Sequence, residues 1–270
     1  MKKNEKSNVV HLSDKIHQTA IVHSGAKIAQ DVKIGPYAII GENVEIGEGT
    51  EVGAHAVIEG WTKIGKGNKI FNHASIGQVP QDLKYHGEKS FLEIGDNNTI
   101  REFATIHLGT EDGSGITKIG NDNLIMAYCH VAHDCQLGNN IIMSNAANLA
   151  GHVIIEDSAV IAALTGVHQF VRIGKMAMVG AGSKAVKDVP PYVLVDGHPA
   201  SVSGINVVAL RRNGVSPELR REIKNAYKIL YRSKLNISQA ITKMEQELDS
   251  SPLVESFIRF LRNAQRGICR

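Results

Sequence analysis

The sequence predicts a mainly β protein: a parallel β-helix of six-residue repeats with a small C-terminal α-helical domain. Three observations predict it. Every sixth residue from Ile16 to Ile76 is aliphatic and β-branched, through Val22, Ile28, Ile34, Ile40, Ile46, Val52, Ile58, Ile64 and Ile70. Glycine follows many of these positions, as at Gly35, Gly41, Gly47, Gly53, Gly65 and Gly77. Aromatic residues are only 5% of the chain, so something other than large rings fills the core. A period of six fits neither a helix nor an alternating strand. It fits a short strand and a turn, with one inward side chain per unit. Three units close one triangular coil, so residues 18 apart stack and the coils pair by parallel ladders.

The elements follow in order. Residues 1–14 are expected to be a flexible extension, because Met1 to Asn8 is polar and charged with no apolar segment after it. The β-helix is expected over 15–190. Its frame breaks twice, at 78–92 (QVPQDLKYHGEKSFL) and at 107–118 (HLGTEDGSGITK). Both breaks are polar, turn-rich excursions from a rigid scaffold, the kind of loop that carries function. The frame returns between them at Ile94, Ile100 and Ile106, then runs from Ile119 through Val131, Leu149 and Val167 to Val179. Glycine beside each turn is expected to supply positive φ and close backbone approach. The prolines of VPPYVLVDGHPA end the solenoid near Asp188. Residues 191–270 are expected to form the helical domain. Ser216-Pro217-Glu218 reads as a helix start, with Leu219, Ile223, Ala226 and Leu230 on one face. A second helix is expected after Ser238 and a third after Ser251-Pro252, ending near Gly267.

Bulk properties exclude several classes of function. The formal net charge of +3 gives no ground for nucleic acid binding. Three cysteines make no disulfide framework and suit a reducing cytosol. No apolar run reaches the roughly 20 residues of a membrane span. A local basic stretch runs from Arg211 to Lys234 and includes Arg212, Arg220, Arg221, Lys224, Lys228 and Arg232. It is either a solvated helix face or a patch for an acidic partner.

The residues with chemistry cluster in HVAHDC and the coil after it. His133 and Gly151 are 18 apart, as are Asp134 and His152, so each pair stacks on adjacent coils; His130 lies on the first of them and His168 one coil further. A histidine can take a proton from an alcohol. A neighbouring aspartate can hold its tautomer, and a glycine N–H can face a developing oxyanion. Cys129 and Cys135 flank His133, but neither spacing defines a dyad, and both read as small apolar fillers. Three histidines could instead hold zinc, and a non-catalytic solenoid scaffold stays open.

Several segments carry a more specific likeness: IGQVPQDLKYHGE (76–88), IREFATIHLGT (100–110), DNLIMAYCHVAHDCQLGNN (122–140), NLAGHV (148–153), VHQF (167–170), DVPPYV (188–193), GIN (204–206) and the closing RGICR. Together they resemble the acyl-[acyl-carrier-protein]–UDP-N-acetylglucosamine O-acyltransferases of lipid A biosynthesis. That resemblance implies a left-handed coil, against the usual crossover rule. It implies transfer of an (R)-3-hydroxyacyl chain from acyl carrier protein to the 3-hydroxyl of UDP-N-acetylglucosamine, in a cytoplasmic homotrimer with sites between subunits and no metal or cofactor. Carried over residue by residue, it makes His133 the general base, Asp134 its support and Gly151 the oxyanion amide. Gln81, Asp82 and Lys84 become loop residues near the sugar, and His130, His152 and Gln169 further substrate contacts. Asn206 and Arg212 become nucleotide contacts, and Ala181 the position that limits acyl length. Two positions depart from the family pattern, Val208 in place of an acid and Asn213 in place of an arginine. The basic stretch becomes a docking surface for the acidic carrier protein. A sibling transferase that N-acylates acylated UDP-glucosamine shares the same logic, but carries an extra N-terminal domain for which this chain, entering its repeat almost at once, leaves no room.

Overall fold

The computed structural model describes residues 15–264 and 266–270; the extension expected over 1–14 lies outside the described residues. The repeat forms a parallel β-helix of triangular cross-section. Each coil gives one short strand to each of three sheets, which hold nine, eight and ten strands. Pairing is in the expected register: Val22 opposes Ile40, Ile40 opposes Ile58, and Ile58 opposes Ile76. The stacked aliphatic residues form one continuous core, with Ile40, Ile58, Ile76, Ile100, Ile125 and Ile161 at 1% exposure or less. Truncating any one to alanine would cost about 2–5 kcal/mol, since a rigid coil cannot collapse into the void.

The corners correct one expectation. Glycines 35, 41, 47, 53 and 65 do not supply positive φ; among the repeat glycines named above only Gly77 does, at +76°. They are needed because coils nearly touch there. A Cβ on Gly35 would lie 2.9 Å from the Ala54 amide nitrogen, and one on Gly47 2.8 Å from the Gly65 carbonyl carbon. The left-handed turns fall mostly on other side chains, stacked coil over coil. Tyr37, His55, His73, Phe103, Tyr128, Ala146 and Leu164 occupy one corner, and Asp134, His152 and Phe170 another. Parallel packing on neighbours offsets the strain of a non-glycine residue there. The rings from Tyr37 to Tyr128 stack face to face with centroids 4.9–5.0 Å apart.

Both excursions leave the corner between the first and second sheets. One leaves after strand Ser75–Gln78 and returns at Phe91–Ile94; the other leaves after Thr105–His107 and returns at Ile116–Ile119. They raise the coil spacing from 18 residues to 30 and then 25. On the next coil the same corner is the turn carrying His133 and Asp134, between strands His130–Val131 and Gln136–Leu137. Two long loops and one tight turn therefore share one edge of the prism.

The solenoid ends with a hairpin that the repeat does not announce. Strand Val193–Gly197 pairs parallel with Met178–Val179, and Ala200–Ile205 folds back antiparallel on it. Four helices follow: α1 (Val207–Arg212), α2 (Pro217–Arg232), α3 (Ile237–Glu247) and α4 (Pro252–Arg262). Side chains of Asn206, Ser216, Asn236 and Ser251 cap their N-termini. The helix expected after Ser238 starts at Ile237, because Asn236 and Gln239 form a reciprocal capping box. The last helix stops at Arg262 with Asn263 as its cap. The chain end returns to the solenoid, where Ile268 bridges Asp188 and the Cys269 N–H donates to the Asp188 carbonyl at 2.8 Å. Among the described residues no helix is long and apolar enough to cross a membrane.

Candidate active site

The site grows from the turn at Ala132–Cys135. Asp134 takes positive φ at that turn (60°), which directs its carboxylate back under the second loop. There the loop meets it with four donors: the Thr110 N–H and hydroxyl and the Ser114 N–H and hydroxyl, the shortest at 2.7 Å. The Nδ1 of His133 completes the set at 2.8 Å. Burial alone would raise the pKa of Asp134, but these hydrogen bonds outweigh it and hold the group well below the usual carboxylate range. With an Nδ1–H of His133 donating to this carboxylate, Nε2 is the ring nitrogen left free. Gly113 belongs to this arrangement, since a Cβ there would fall 2.4 Å from the Asp134 carboxylate.

Gly151 lies under His133 on the next coil, as the 18-residue register requires, and is buried. A Cβ on it would stand 2.5 Å from the ring Cε1 and 2.6 Å from Nε2, so only glycine admits this ring position. Among the described residues the Gly151 N–H has no backbone acceptor. It is a free donor on the residue that packs against the His133 ring.

Other histidines surround His133. The His152 ring meets that of His133 edge-on at 5.0 Å and stacks on Phe170 at 4.4 Å. His130 bonds the Thr105 hydroxyl through Nδ1 at 2.7 Å, and its ring is edge-on to that of His107 at 4.8 Å. Burial lowers the pKa of all three: it shifts His130 and His152 down, and it takes His107, also repelled by His130 and His133, down to about 4. His107 and its unpartnered Nδ1 were not expected at the site. Its place at the head of the second excursion, in TIHLGT, was the available signal.

The loop residues arrive as expected in part. Asp82 brings a carboxylate oxygen to 3.9 Å from Nε2 of His133, and its other oxygen accepts the Lys84 N–H. Lys84 pairs loosely with Asp112 across the two loops, at 3.8 Å, over a cleft lined by His86, Glu88 and Thr110. Gln81 is exposed on the same loop, and Gln169 is exposed one coil beyond Gly151 in the same stack.

Three expected residues lie elsewhere. Ala181 is exposed at the opposite edge of the first sheet, in the turn between strands Met178–Val179 and Lys184–Ala185. Asn206 is buried, and its amide both caps α1 and donates to the Met176 carbonyl at 3.0 Å. Arg212 is exposed at the end of α1, next to Asn213, which takes a hydrogen bond from Ser158 at 3.2 Å. Asn206 and Asn213 thus attach at the corner between the second and third sheets. One chain spreads the expected residues over all three edges of its prism.

Two alternative chemistries meet limits within one chain. His133, Asp134 and His152 place donor atoms within 4.8 Å of one another. Zinc takes at least three protein ligands, yet both oxygens of Asp134 are already committed to Thr110, Ser114 and His133. Within one chain this set does not offer zinc three free ligands. Cys129 and Cys135 are buried, and burial pushes their thiols up to about 11 and about 12, so neither supplies a thiolate.

A triangular solenoid of six-residue repeats is the architecture of the hexapeptide transferases. The hexapeptide transferase model matches residues 15–47 and 116–151, and the model of the second domain of UDP-N-acetylglucosamine O-acyltransferase matches 188–269. An acyl-[acyl-carrier-protein]–UDP-N-acetylglucosamine O-acyltransferase of Thiobacillus denitrificans is 52% identical over 255 residues, covering 94% of this chain and 99% of its own. The one from a Janthinobacterium species is 53% identical over 259 residues, with 94% and 99% covered. The solved LpxA of Acinetobacter baumannii superposes with a TM-score of 0.93 at 45% identity, covering 95% of this chain and all (100%) of that one. The Arabidopsis UDP-N-acetylglucosamine acyltransferase gives 0.83 at 38%, with 94% and 100% covered. The chain belongs to this acyltransferase family, and its coil is the left-handed parallel β-helix of the hexapeptide transferases.

Proposed function

We propose that the chain moves an (R)-3-hydroxyacyl group from acyl carrier protein to the 3-hydroxyl of UDP-N-acetylglucosamine, the first step of lipid A synthesis. The observation that carries this reading is the trio His133, Asp134 and Gly151. The Nε2 of His133 takes the proton of the sugar 3-hydroxyl as its oxygen attacks the thioester carbonyl. The carbonyl oxygen gathers negative charge and meets the Gly151 N–H. When the C–S bond breaks, the imidazolium returns its proton to the departing pantetheine sulfur. Asp134, ionised throughout, steadies that imidazolium. No enzyme thiol takes part, so transfer is direct. Asp82 and Lys84, with Gln81, orient the sugar beside the base, and His130, His152 and Gln169 make further contacts with the substrates.

The same reading makes the protein a cytoplasmic homotrimer. Ala181 and the pair Asn206 and Arg212 sit on prism edges other than that of His133. An acyl chain and a uridine diphosphate that touch all of them need edges from more than one copy. Arg220 and Arg221 on α2 then offer positive charge to the acidic carrier protein.

The test is one assay of the purified protein with 3-hydroxyacyl carrier proteins of several lengths. UDP-N-acetylglucosamine is one acceptor, and its 3-amino analogue and acylated UDP-glucosamine are the others. An ester at the 3-hydroxyl is the expected product. Exclusive transfer to an amine of acylated UDP-glucosamine would assign the sibling N-acyltransferase instead.

A further inference from the structure

The carboxylate of Asp134 is not gripped evenly. Its Oδ1 accepts the Ser114 N–H at 2.8 Å and faces the Ser114 hydroxyl at 3.1 Å. Its Oδ2 accepts the Thr110 hydroxyl at 2.7 Å and meets Nδ1 of His133 at 2.8 Å. The Thr110 N–H reaches both oxygens, at 3.2 and 3.1 Å. One carboxylate oxygen is thus shared between the histidine ring and one threonine hydroxyl.

The two hydroxyls differ in a second way. Ser114 is exposed, and its hydroxyl also faces the Ile116 carbonyl at 2.8 Å, closer than it stands to Asp134. A hydroxyl has one proton, so at any moment it serves one of those acceptors. Thr110 is 3% exposed, and its hydroxyl has no other acceptor among the described residues. That O–H is committed to Oδ2.

Holding the loop does not require it. The Thr110 carbonyl accepts the Gly113 and Gly115 N–H groups at 3.1 and 2.9 Å, which closes the turn. The N–H groups of Thr110 and Ser114 keep the carboxylate in place. What the hydroxyl adds is a donor on the one oxygen that faces His133. A carboxylate stabilises an imidazolium, and a donor on that carboxylate weakens the effect. Too strong a pull would leave the ring protonated at neutral pH and useless as a base.

We propose that Thr110 is a positioning residue for acyl transfer, acting through Asp134: its hydroxyl shares Oδ2 with His133 and limits the carboxylate's pull, so the ring stays aligned through Nδ1 with Nε2 free to take a proton. The inference rests on the reading of His133 as the base. The other charged and titratable groups around the ring are Asp82 on the first excursion with Lys84 beside it, His107 and His130 on the first sheet, and His152 on the next coil. Among the described residues only Thr110 and His133 bond Oδ2.

Thr110→Val removes the O–H donor at nearly constant shape and keeps the N–H. The acid limb of kcat/KM reports the base of the free enzyme. In Thr110→Val it is expected to move up by about 0.5–1 pH unit, as loss of one charge-assisted hydrogen bond implies. Activity then falls about three- to tenfold more below the limb than on the alkaline plateau. Thr110→Ser, which restores the hydroxyl, is expected to return the limb to its wild-type position. Ser114→Ala, which strips a donor from Oδ1, is expected to move it clearly less far. The His133 ring is titrated in parallel by NMR without substrate, its signal identified by its loss in His133→Ala. Its midpoint is expected to move up in Thr110→Val as the limb does. Circular dichroism shows whether each variant folds. An unmoved NMR midpoint in folded Thr110→Val, with activity lost equally at every pH, overturns the proposal and leaves Thr110 a packing role. An equal shift from Ser114→Ala overturns it too, because sharing of Oδ2 would then not matter. If the wild type transfers no acyl group, the reading of the base fails separately, and the NMR midpoints alone decide the role of Thr110.

Discussion

The Nδ1 of His133 lies 2.8 Å from Oδ2 of Asp134, and that carboxylate is in turn gripped by Thr110 and Ser114 from a loop one coil away. His133 is thereby tied to the second excursion, not only to its own turn. The first excursion reaches the other side of the ring through Asp82 at 3.9 Å. Both loops depart from the edge that carries the turn, which is why a repeat with no pocket of its own acquires one here.

His133→Ala is expected to fold and elute as the wild type does, while kcat drops about 10²–10⁴-fold, the usual worth of a general base. Turnover near the wild-type rate would remove His133 from the chemistry. Asp134→Asn is expected to lose comparable activity and, unlike His133→Ala, to lower Tm. It turns an amide toward donors that now have one acceptor oxygen fewer, at about 1–3 kcal/mol for each stranded partner.

Gly151→Ala tests the contact between coils. Its methyl would stand 2.5 Å from Cε1 of His133, so the ring must swing off Nδ1–Oδ2 alignment. The backbone there needs no positive φ, so stability is expected to change by only about 1 kcal/mol. The expected signature is a loss in kcat of at least about tenfold with Tm nearly unchanged. Equal, proportionate losses in both would mean that the glycine serves packing alone.

The basic face of α2 is tested through salt. Charge reversal at Arg220 and Arg221 is expected to raise KM for the acyl carrier protein donor and leave KM for the nucleotide sugar unchanged. The wild-type donor KM is expected to rise with ionic strength, because exposed charges are screened over about 8–10 Å. If the reversed variant keeps its donor KM and the wild type its salt sensitivity, the carrier docks elsewhere.

Ala181 is exposed, at the prism edge that carries the turns from Tyr37 to Leu164 and not at the edge of His133. If the acyl tail ends against it in an assembled trimer, its methyl shortens the acceptable chain. Ala181→Gly is then expected to shift the preferred acyl donor upward by about two carbons, since each methylene in a fitted pocket is worth about 1–3 kcal/mol of discrimination. An unchanged length profile in a purified assay would dissociate Ala181 from the tail.

The six-residue period made the coil legible, and with it the stacking of Gly151 on His133 and of His152 on Asp134. It could not show what the loops bring. Thr110, Gly113 and Ser114 lie outside the frame, so no spacing rule assigns them to Asp134. The only hint was that TEDGSG interrupts the coil just before HVAHDC. Gly35 and Gly47 were readable as necessary, but for close approach and not for φ, because stacking lets Tyr37 and His55 take the left-handed turns. The hairpin at 193–205 was missed although Asp196-Gly197 is a turn signal, and α1 has six residues, too few to display a period. Asn213, read only as a departure from a family pattern, is bound to Ser158.

His107 provides the pH test. It is 5% exposed, its pKa is lowered to about 4, and the unfolded chain returns it to about 6.5. Below 6.5 the unfolded chain binds a proton that the folded chain refuses, so stability is complete above that value and is lost as pH falls toward 4. Between pH 7 and pH 5 this one group is expected to withdraw about 2 kcal/mol. His130 and His152, shifted the same way, add to the loss. His107→Gln cannot titrate, so its unfolding free energy is expected to fall less steeply over that interval, whatever its absolute stability. Denaturant unfolding of both proteins at several pH values measures the two slopes. Identical slopes would show that His107 is protonated in the fold as readily as outside it, and that its burial beside His130 and His133 does not keep it neutral.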